Sequence, residues 1–286
     1  MIRATSALHP SLLAAAALAA AACSDPLPSV PERTIAYTVL ATQQNVAGDA
    51  YVLRPTALFF RTNSLNLVSS ANAPDQCVDR AYAPHSPAVA DTFPAVTYLN
   101  AGESVALETN AGTTSTLIAT TDAYGKSYYA PAANASVAPF TPDDVVTLTV
   151  PGGGTATNAF PATTLSQTTV TPFTAGDVAT SSNDPEGLKI TWSAPPTPPS
   201  GVVPTGMLVS LRYASFGTGA ANREVFCSLV DDGSYVIPVD VAAGWFKSLP
   251  NGHDILFTRW RADVVQSGNI YTSVVSTITV PTATVH

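Results

Sequence analysis

The sequence predicts an all-β protein built from two β-sandwich-like domains. Many short runs of β-branched and aromatic residues are bounded by Gly, Pro, Asn or Asp, which is typical of strands and turns. The 24 prolines among 286 residues exceed the usual frequency of about 5%, which disfavours long helices. Hydrophobic residues make up 46% of the chain and charged residues 11%, so it can bury a core.

The N-terminal segment has the pattern of a secretory signal peptide over residues 1–22. Arg3 supplies a basic start, and an apolar stretch over residues 12–22 ends in small side chains. As a helix this stretch would cover only about half of a hydrocarbon core about 30 Å thick, so it does not predict a stable membrane span. We therefore expect residues 1–22 to be removed on export.

The end of this segment, Leu18-Ala19-Ala20-Ala21-Ala22-Cys23, resembles a bacterial lipobox. It departs from the usual pattern at Ala20, where lipoproteins mostly carry Leu. The resemblance implies that Cys23 is acylated and becomes the first mature residue, and that Ser24 permits export to the outer membrane. The alternative is ordinary cleavage after Ala22, which leaves Cys23 as a thiol.

Residues 23–33 are predicted to be a tether, anchored to lipid through Cys23. Three prolines and the lack of apolar periodicity favour an extended chain there. The net charge of −8 means that anionic lipid repels the protein, so acyl chains must hold it at the membrane. We expect a location in the cell envelope, at the periplasmic or surface face of the outer membrane. The same acidic balance excludes a nucleic-acid binder, which needs a basic face to displace phosphate counterions.

The first domain is predicted over residues 34–150. It contains strand-like runs that start at Thr34, Tyr51, Ser104 and Val145, among others. The connection over residues 72–91 is long and polar and shows no strand pattern. Residues 151–165 are predicted to be a linker, because the Gly152-Gly153-Gly154 run is unfavourable for packing or for a strand.

The second domain, over residues 166–286, shows a clear period of two. Leu188, Ile190 and Trp192 fall on one side of a strand and Lys189 on the other. In the next strand the same rule places Met207, Val209, Leu211 and Tyr213 inward. The run Asp231-Asp232-Gly233 predicts a hairpin turn with its glycine at positive φ.

This second half resembles the fibronectin type III and immunoglobulin-like sandwiches. The segment Gly187-Leu188-Lys189-Ile190-Thr191-Trp192-Ser193-Ala194-Pro195 is similar to their second strand, with its buried tryptophan and following prolines. Leu211-Arg212-Tyr213 is similar to the third strand, and residues 255–281 to the last two. The middle, residues 214–245, is longer than the family usually allows. The resemblance implies a non-catalytic binding module or spacer.

Cys77 and Cys227 are the two other cysteines, and an exported protein can join them in a disulfide. Cys227 is also explained as a small core residue, because it shares a strand face with Val225 and Leu229. Closely spaced Cys or His ligands are missing, so we predict no zinc site. We predict no other metal and no cofactor; Asn183-Asp184-Pro185-Glu186 has oxygen ligands for calcium but lacks their usual spacing.

The sequence contains no catalytic constellation, and we predict no catalytic residue and no enzymatic activity. His85, His253 and His286 are isolated, and the G-x-S-x-G signature of serine hydrolases does not occur. Carboxylate pairs occur at Asp143-Asp144, Asp231-Asp232 and Asp184/Glu186, all in turn contexts. The alternative is an envelope hydrolase acting on carbohydrate between the two domains, with Trp245 or Trp260 stacking on the sugar.

Three arginines suggest a binding surface. Alternation places Arg212 on the solvent side of its strand and places Arg259 and Arg261 together on one face of a neighbouring strand. If these faces coincide, they form a docking face for an acidic protein partner, because the guanidinium fork binds carboxylate in a bidentate manner. The alternative is that the arginines pair with acids such as Asp263 and Glu224 and maintain solubility. A glycan is the other class of partner that such a face could bind.

Overall fold

Sixteen β-strands carry the fold in the part of the chain that the computed structural model describes, which confirms the all-β class. The described residues are 32–44, 51–63, 75–82, 96–122, 127–132, 140–141, 143–155, 157–183, 187–215, 220–248, 253–267 and 270–282. The expected signal peptide, Cys23 and most of the tether lie outside these residues. Residues Arg33–His286 form one compact unit.

The strands are short in the middle of the chain and long at its two ends. In order they are β1 (Arg33–Gln44), β2 (Tyr51–Thr62), β3 (Gln76–Ala81), β4 (Thr97–Tyr98), β5 (Ser104–Thr109), β6 (Thr114–Thr121), β7 (Ser127–Pro131), β8 (Val145–Val150), β9 (Thr163–Thr168), β10 (Val178–Asn183), β11 (Gly187–Trp192), β12 (Gly206–Tyr213), β13 (Arg223–Val230), β14 (Ser234–Pro238), β15 (Asp254–Ser267) and β16 (Ile270–Thr282). A 3₁₀ turn (Ala175–Asp177) and a short helix α1 (Ala243–Lys247) complete the described elements.

Most strands belong to one large sheet. Its order is β3-β13-β12-β15-β16-β1-β2-β7-β6-β5-β8-β9, with β4 paired to β2. The first and last strands of the described chain are neighbours, because β1 runs parallel to β16 with Thr34 opposite Ile270. Nearly all other pairs are antiparallel, as expected for strands joined by short connections.

A second sheet of three strands, β10-β11-β14, packs on the C-terminal part of the large sheet. The prediction of a hairpin at Asp231-Asp232-Gly233 is wrong, since β13 pairs with β12 and β3 whereas β14 pairs with β11. The turn instead carries the chain from one sheet to the other. Gly233 does have the predicted positive φ, at 105°.

The alternation predicted for the C-terminal strands is confirmed. Leu188, Ile190 and Trp192 are buried on β11, and Lys189 is exposed. Together with the inward side chains of β12 they form the core between the two sheets. Ser210 lies on the outer face of β12 but is buried, and its hydroxyl donates to the neighbouring Glu224 carboxylate.

A second core lies within the first half of the chain and includes Leu53, Phe59, Leu107 and Phe160. The expected linker, residues 151–165, is packed rather than extended: it runs into β9, which pairs with β8. A Cβ at Gly153 would collide with the carbonyl oxygen of Asn100, so this glycine permits a close approach of two chain segments. The division of the chain into two domains stays a prediction.

The segment 72–91 contains a strand that the sequence pattern does not reveal. Its residues 76–81 form β3, which pairs with β13 at the edge of the large sheet. All six residues of β3 are exposed except Cys77, which is half-buried. Because neither face of β3 is covered, its sequence has no reason to alternate, and the expectation of an irregular connection was wrong for this part.

Candidate functional site

The edge strand β3 is joined to β13 by a disulfide between Cys77 and Cys227. The two residues are directly opposite in the antiparallel register, with their Cα atoms 4.0 Å apart. They are 150 residues apart in sequence. The bond therefore ties an exposed strand with no apolar face to a strand whose inner face is buried.

Charged side chains strengthen this attachment on both sides of β3. The Asp79 carboxylate accepts a hydrogen bond from the Tyr213 hydroxyl at 2.9 Å and pairs with Arg223 at 2.9 Å. Burial raises the pKa of Tyr213, so its hydroxyl remains a donor. Arg80 pairs with Glu224 at 2.7 Å. These contacts fix the direction of the β3 side chains.

β3 thereby forms one wall of a groove on the outer face of the large sheet, with a volume of about 560 Å³. Its floor comes from β12, β13, β15 and β16. We call it the arginine–glutamate groove, and its residues include Arg80, Tyr82, Leu208, Ser210, Arg212, Glu224, Phe226, Leu256 and Thr258. Its size lies within the range of about 300–1,000 Å³ typical of small-ligand sites.

A buried carboxylate lies in this groove. Glu224 is 7% exposed, accepts a hydrogen bond from the Ser210 hydroxyl at 2.6 Å, and binds Arg80 through its other oxygen. The Arg80 guanidinium lies over the Phe226 ring at 4.0 Å, which adds a cation–π contact. The charge of Arg80 is therefore already balanced by Glu224.

Arg212 is different, because its charge is only weakly engaged. It lies over the Tyr82 ring at 4.7 Å, and its Nη1 is 3.5 Å from a carboxylate oxygen of Asp254, which is itself 49% exposed. The Arg212 Nε has no hydrogen-bond partner among the described residues. The Nε is itself buried, so a carboxylate from outside the chain can reach Arg212 only through the remaining part of its side chain, which is 29% exposed.

The predicted docking face of three arginines does not form. Arg212 lies on the outer face, but Arg259 and Arg261 are 1% and 3% exposed. Arg259 is directly opposite Met207, whose side chain is in the core, whereas Arg212 is opposite Asp254 on the other face. The prediction was wrong because Arg259 continues the inward alternation of Ile255 and Phe257, and a buried acid neutralises it.

That acid is Asp231, the first residue after β13. Its Oδ2 accepts hydrogen bonds from Arg259 Nε at 2.7 Å and from the Thr205 hydroxyl at 2.6 Å. Its Oδ1 accepts from the Trp192 indole at 2.7 Å. Arg259 also donates to the carbonyls of Thr171 and Ser193. Because Trp192 belongs to the small sheet and Arg259 to the large one, Asp231 connects the two sheets through hydrogen bonds.

Arg261 also joins separate segments of the chain, mainly through hydrogen bonds to backbone carbonyl oxygens. It donates to the carbonyls of Val203 and Thr169, and its Nη1 is 3.4 Å from Asp143. Burial lowers the pKa of Arg261, and the nearby Asp143 opposes that effect. Asp143 adopts a positive φ of 58° and also accepts from Thr171. Arg261 thus ties the chain after β9 to β15.

The other predicted candidates do not converge. Trp245 and Trp260 are buried, at 2% and 8% exposure, so neither presents a ring to a sugar. His253, although isolated in the sequence, is half-buried: its ring stacks on Trp245 with the ring centroids 3.7 Å apart, and burial lowers its pKa. Asp231 and Asp143 are engaged by arginine. His85, His286, Asp184 and Glu186 lie outside the described residues.

Sequence reasoning missed the groove residues on β3 and β13, above all Arg80 and Phe226. One signal was present: if Cys77 is set opposite Cys227, the antiparallel register places Arg80 opposite Glu224. The described ranges contain no group of three His, Cys, Asp or Glu residues placed to hold a metal ion. Within the same ranges, no helix has the length and apolar character needed to cross a membrane.

Comparison of the sequence with protein-family models and with curated proteins gave no match. The class that the structure defines is an all-β protein of two packed sheets with a disulfide-attached edge strand.

Proposed function

We propose that the protein is a non-enzymatic, lipid-anchored module of the cell envelope that binds an acidic segment of a protein partner in the arginine–glutamate groove. The observation that carries this proposal is Arg212, a half-buried arginine whose nearest carboxylate is 3.5 Å away and well exposed. Around it, Tyr82, Leu208 and Leu256 offer apolar contact surface. An acidic side chain flanked by apolar residues matches both features.

The strand order supports an immunoglobulin-like binding module. The small sheet β10-β11-β14 faces the large-sheet strands β13-β12-β15-β16. Two antiparallel sheets packed face to face are the β-sandwich architecture that immunoglobulin and fibronectin type III domains share. Such modules bind partners through sheet faces and loops, and the groove lies on the face of the four-stranded part.

The hydrolase alternative has less support. A glycosidase needs two carboxyl groups about 5–10 Å apart across a cleft. Among the described candidates, Asp231 is bound by Arg259 and Trp192, and Asp143 by Arg261 and Thr171. One carboxylate of each described pair therefore already has a structural role, so we prefer the binding function.

Anchoring is tested at Cys23. We expect the native protein to partition into detergent and to incorporate a fatty-acid label, because acylation is what holds an acidic protein at the membrane. Cys23→Ser should abolish the label and release the protein from the membrane fraction. Ser29→Ala, a serine substitution in the same tether, is the matched control and should behave as wild type. Retention and processing of Cys23→Ser like wild type would contradict the anchor.

The groove is tested by charge reversal. With a photo-crosslinking residue at Thr258, the wild-type protein should form a defined adduct in intact cells. Arg212→Glu should reduce the adduct at least about tenfold, since loss of one member of an interfacial charge pair costs about 2 kcal/mol or more. A modest fall in the melting temperature is also expected, because Arg212 is half-buried and lies opposite Glu224 and Asp254 on the neighbouring strands.

Lys247→Glu makes the same change of charge on the exposed end of α1, away from the groove, and should leave the adduct intact. Equal adduct yields from Arg212→Glu and Lys247→Glu would overturn the proposed role of the groove.

A further inference from the structure

A second cavity lies in the first half of the chain, away from the arginine–glutamate groove. Its volume is about 830 Å³. It lies where the chain after β4, the β6–β7 pair and the glycine-rich segment after β8 meet. We call it the tyrosine cavity, and the residues used in the argument are Tyr98, Asn100, Glu103, Ser127, Tyr128 and Asn158.

The wall of the tyrosine cavity is built by a lattice of backbone hydrogen bonds. Asn100 N–H donates to the Asn158 carbonyl at 2.8 Å, and Phe160 N–H donates back to the Asn100 carbonyl at 2.7 Å. Gly152 N–H donates to the Ala101 carbonyl and Gly153 N–H to the Phe160 carbonyl. These bonds hold the segment in place without a ligand.

Two features make this wall rigid. The buried Tyr129 hydroxyl accepts from Ala101 N–H at 2.9 Å and donates to the Gly102 carbonyl at 2.8 Å. Gly152 has a φ of 86°, and a Cβ at that residue would lie 2.7 Å from the Ala162 nitrogen. The glycines therefore serve to shape the cavity, and a preformed cavity binds a ligand without a cost of ordering.

The lining combines aromatic rings with uncharged polar groups. Tyr98 and Tyr128 are half-buried, so part of each ring contacts solvent. Burial raises the pKa of Tyr98, and the negative charge of the nearby Asp122 raises it further, so the Tyr98 hydroxyl stays protonated. The amides of Asn100 and Asn158 and the Ser127 hydroxyl supply further donors and acceptors. Among the described lining residues, Glu103 carries the only charge and no Lys or Arg occurs.

This chemistry selects the ligand class. The Glu103 carboxylate and the absence of a cation from the described lining disfavour an anionic ligand. Tyrosine rings pack against the apolar faces of sugar rings, and amide, carboxylate and hydroxyl groups bond to sugar hydroxyls. We infer that the tyrosine cavity binds a neutral oligosaccharide. The inference is independent of the protein partner proposed for the groove.

The test is a titration of the intact soluble protein, with Cys23 replaced by serine, against maltotriose, cellotriose, chitotriose and mannotriose. Calorimetry and NMR should detect saturable, millimolar or tighter binding of at least one trisaccharide. Tyr128→Ala should weaken that binding about tenfold by removing one ring face. Asn158→Ala, which truncates an exposed side chain, should also weaken binding and controls for loss of folding.

Tyr82→Ala removes a tyrosine from the other site and should leave trisaccharide binding unchanged, so the two proposals fail separately. Tetramethylammonium is a second probe, because tyrosine rings beside a carboxylate also attract a quaternary ammonium ion. Three results would overturn the inference: no binding of any trisaccharide, unchanged binding in both Tyr128→Ala and Asn158→Ala, or binding of tetramethylammonium alone.

Discussion

Asp231→Ala is expected to unfold the protein at ambient temperature or to come close to doing so. The substitution leaves the Arg259 charge buried without its partner, which typically costs about 3–5 kcal/mol. It also removes the acceptor for the Trp192 indole and the Thr205 hydroxyl, and each unsatisfied buried donor adds about 1–3 kcal/mol. The sum is comparable to the whole free energy of unfolding of a typical domain, about 5–15 kcal/mol.

Asp232→Ala is the matched control, because Asp232 is the next residue in the same turn and is exposed. Its expected change in the free energy of unfolding is within about 0.5 kcal/mol. Urea denaturation followed by tryptophan fluorescence measures both variants, since Trp192 reports directly on the network. If the two variants lose similar stability, Asp231 does not hold the sheets together as described.

Loss of the Cys77–Cys227 disulfide has the second large expected effect. The bond closes a loop of 150 residues, and in the chain-entropy model such a loop destabilises the unfolded state by about 5 kcal/mol, at the upper end of measured values. The free energy of unfolding of the Cys77→Ala/Cys227→Ala double variant should therefore be several kcal/mol lower than that of the wild type. β3 should also detach, because it has no buried apolar face to hold it.

Reduction of the wild-type protein supplies an internal comparison. Under a strong reductant the wild type should unfold at the same denaturant concentration as the double variant, whose own stability should not respond to reductant. Loss of β3 also removes Arg80 and one wall of the groove, so cross-linking from Thr258 should fall as well. A double variant as stable as oxidised wild type would show that the other β3 contacts suffice.

A strand could be predicted from the sequence only where one of its faces is buried, and β3 has no buried face. Strands with one covered face, such as β11 and β12, were readable because alternation reports burial. β3 was not, since its attachment depends on a disulfide and on ion pairs to residues about 144 positions away. Partners so distant in sequence produce no local sequence pattern. The Arg80 side of the groove therefore could not be predicted from the sequence.

The arginines illustrate a conflict between two local rules. Alternation from Ile255 and Phe257 places Arg259 inward, whereas the cost of burying a charge favours an outward position. The conflict has no local solution, because it depends on whether an acid lies across the core. Asp231, 28 residues earlier, supplies that acid, and Arg259 is buried.

The all-β class and the inward faces of the C-terminal strands could be predicted before the fold was known, because both depend on the local period of two and on turn residues. The charge pairs could not be predicted in this way and are known from the fold: Asp231 with Arg259, Asp143 with Arg261, and Arg80 with Glu224. In the fold, Gly152 and Gly153 of the expected linker are hydrogen-bonded to other segments and line the tyrosine cavity. The physical reason is that the free energy of a buried charge, or of a glycine in close contact, depends on groups distant in sequence.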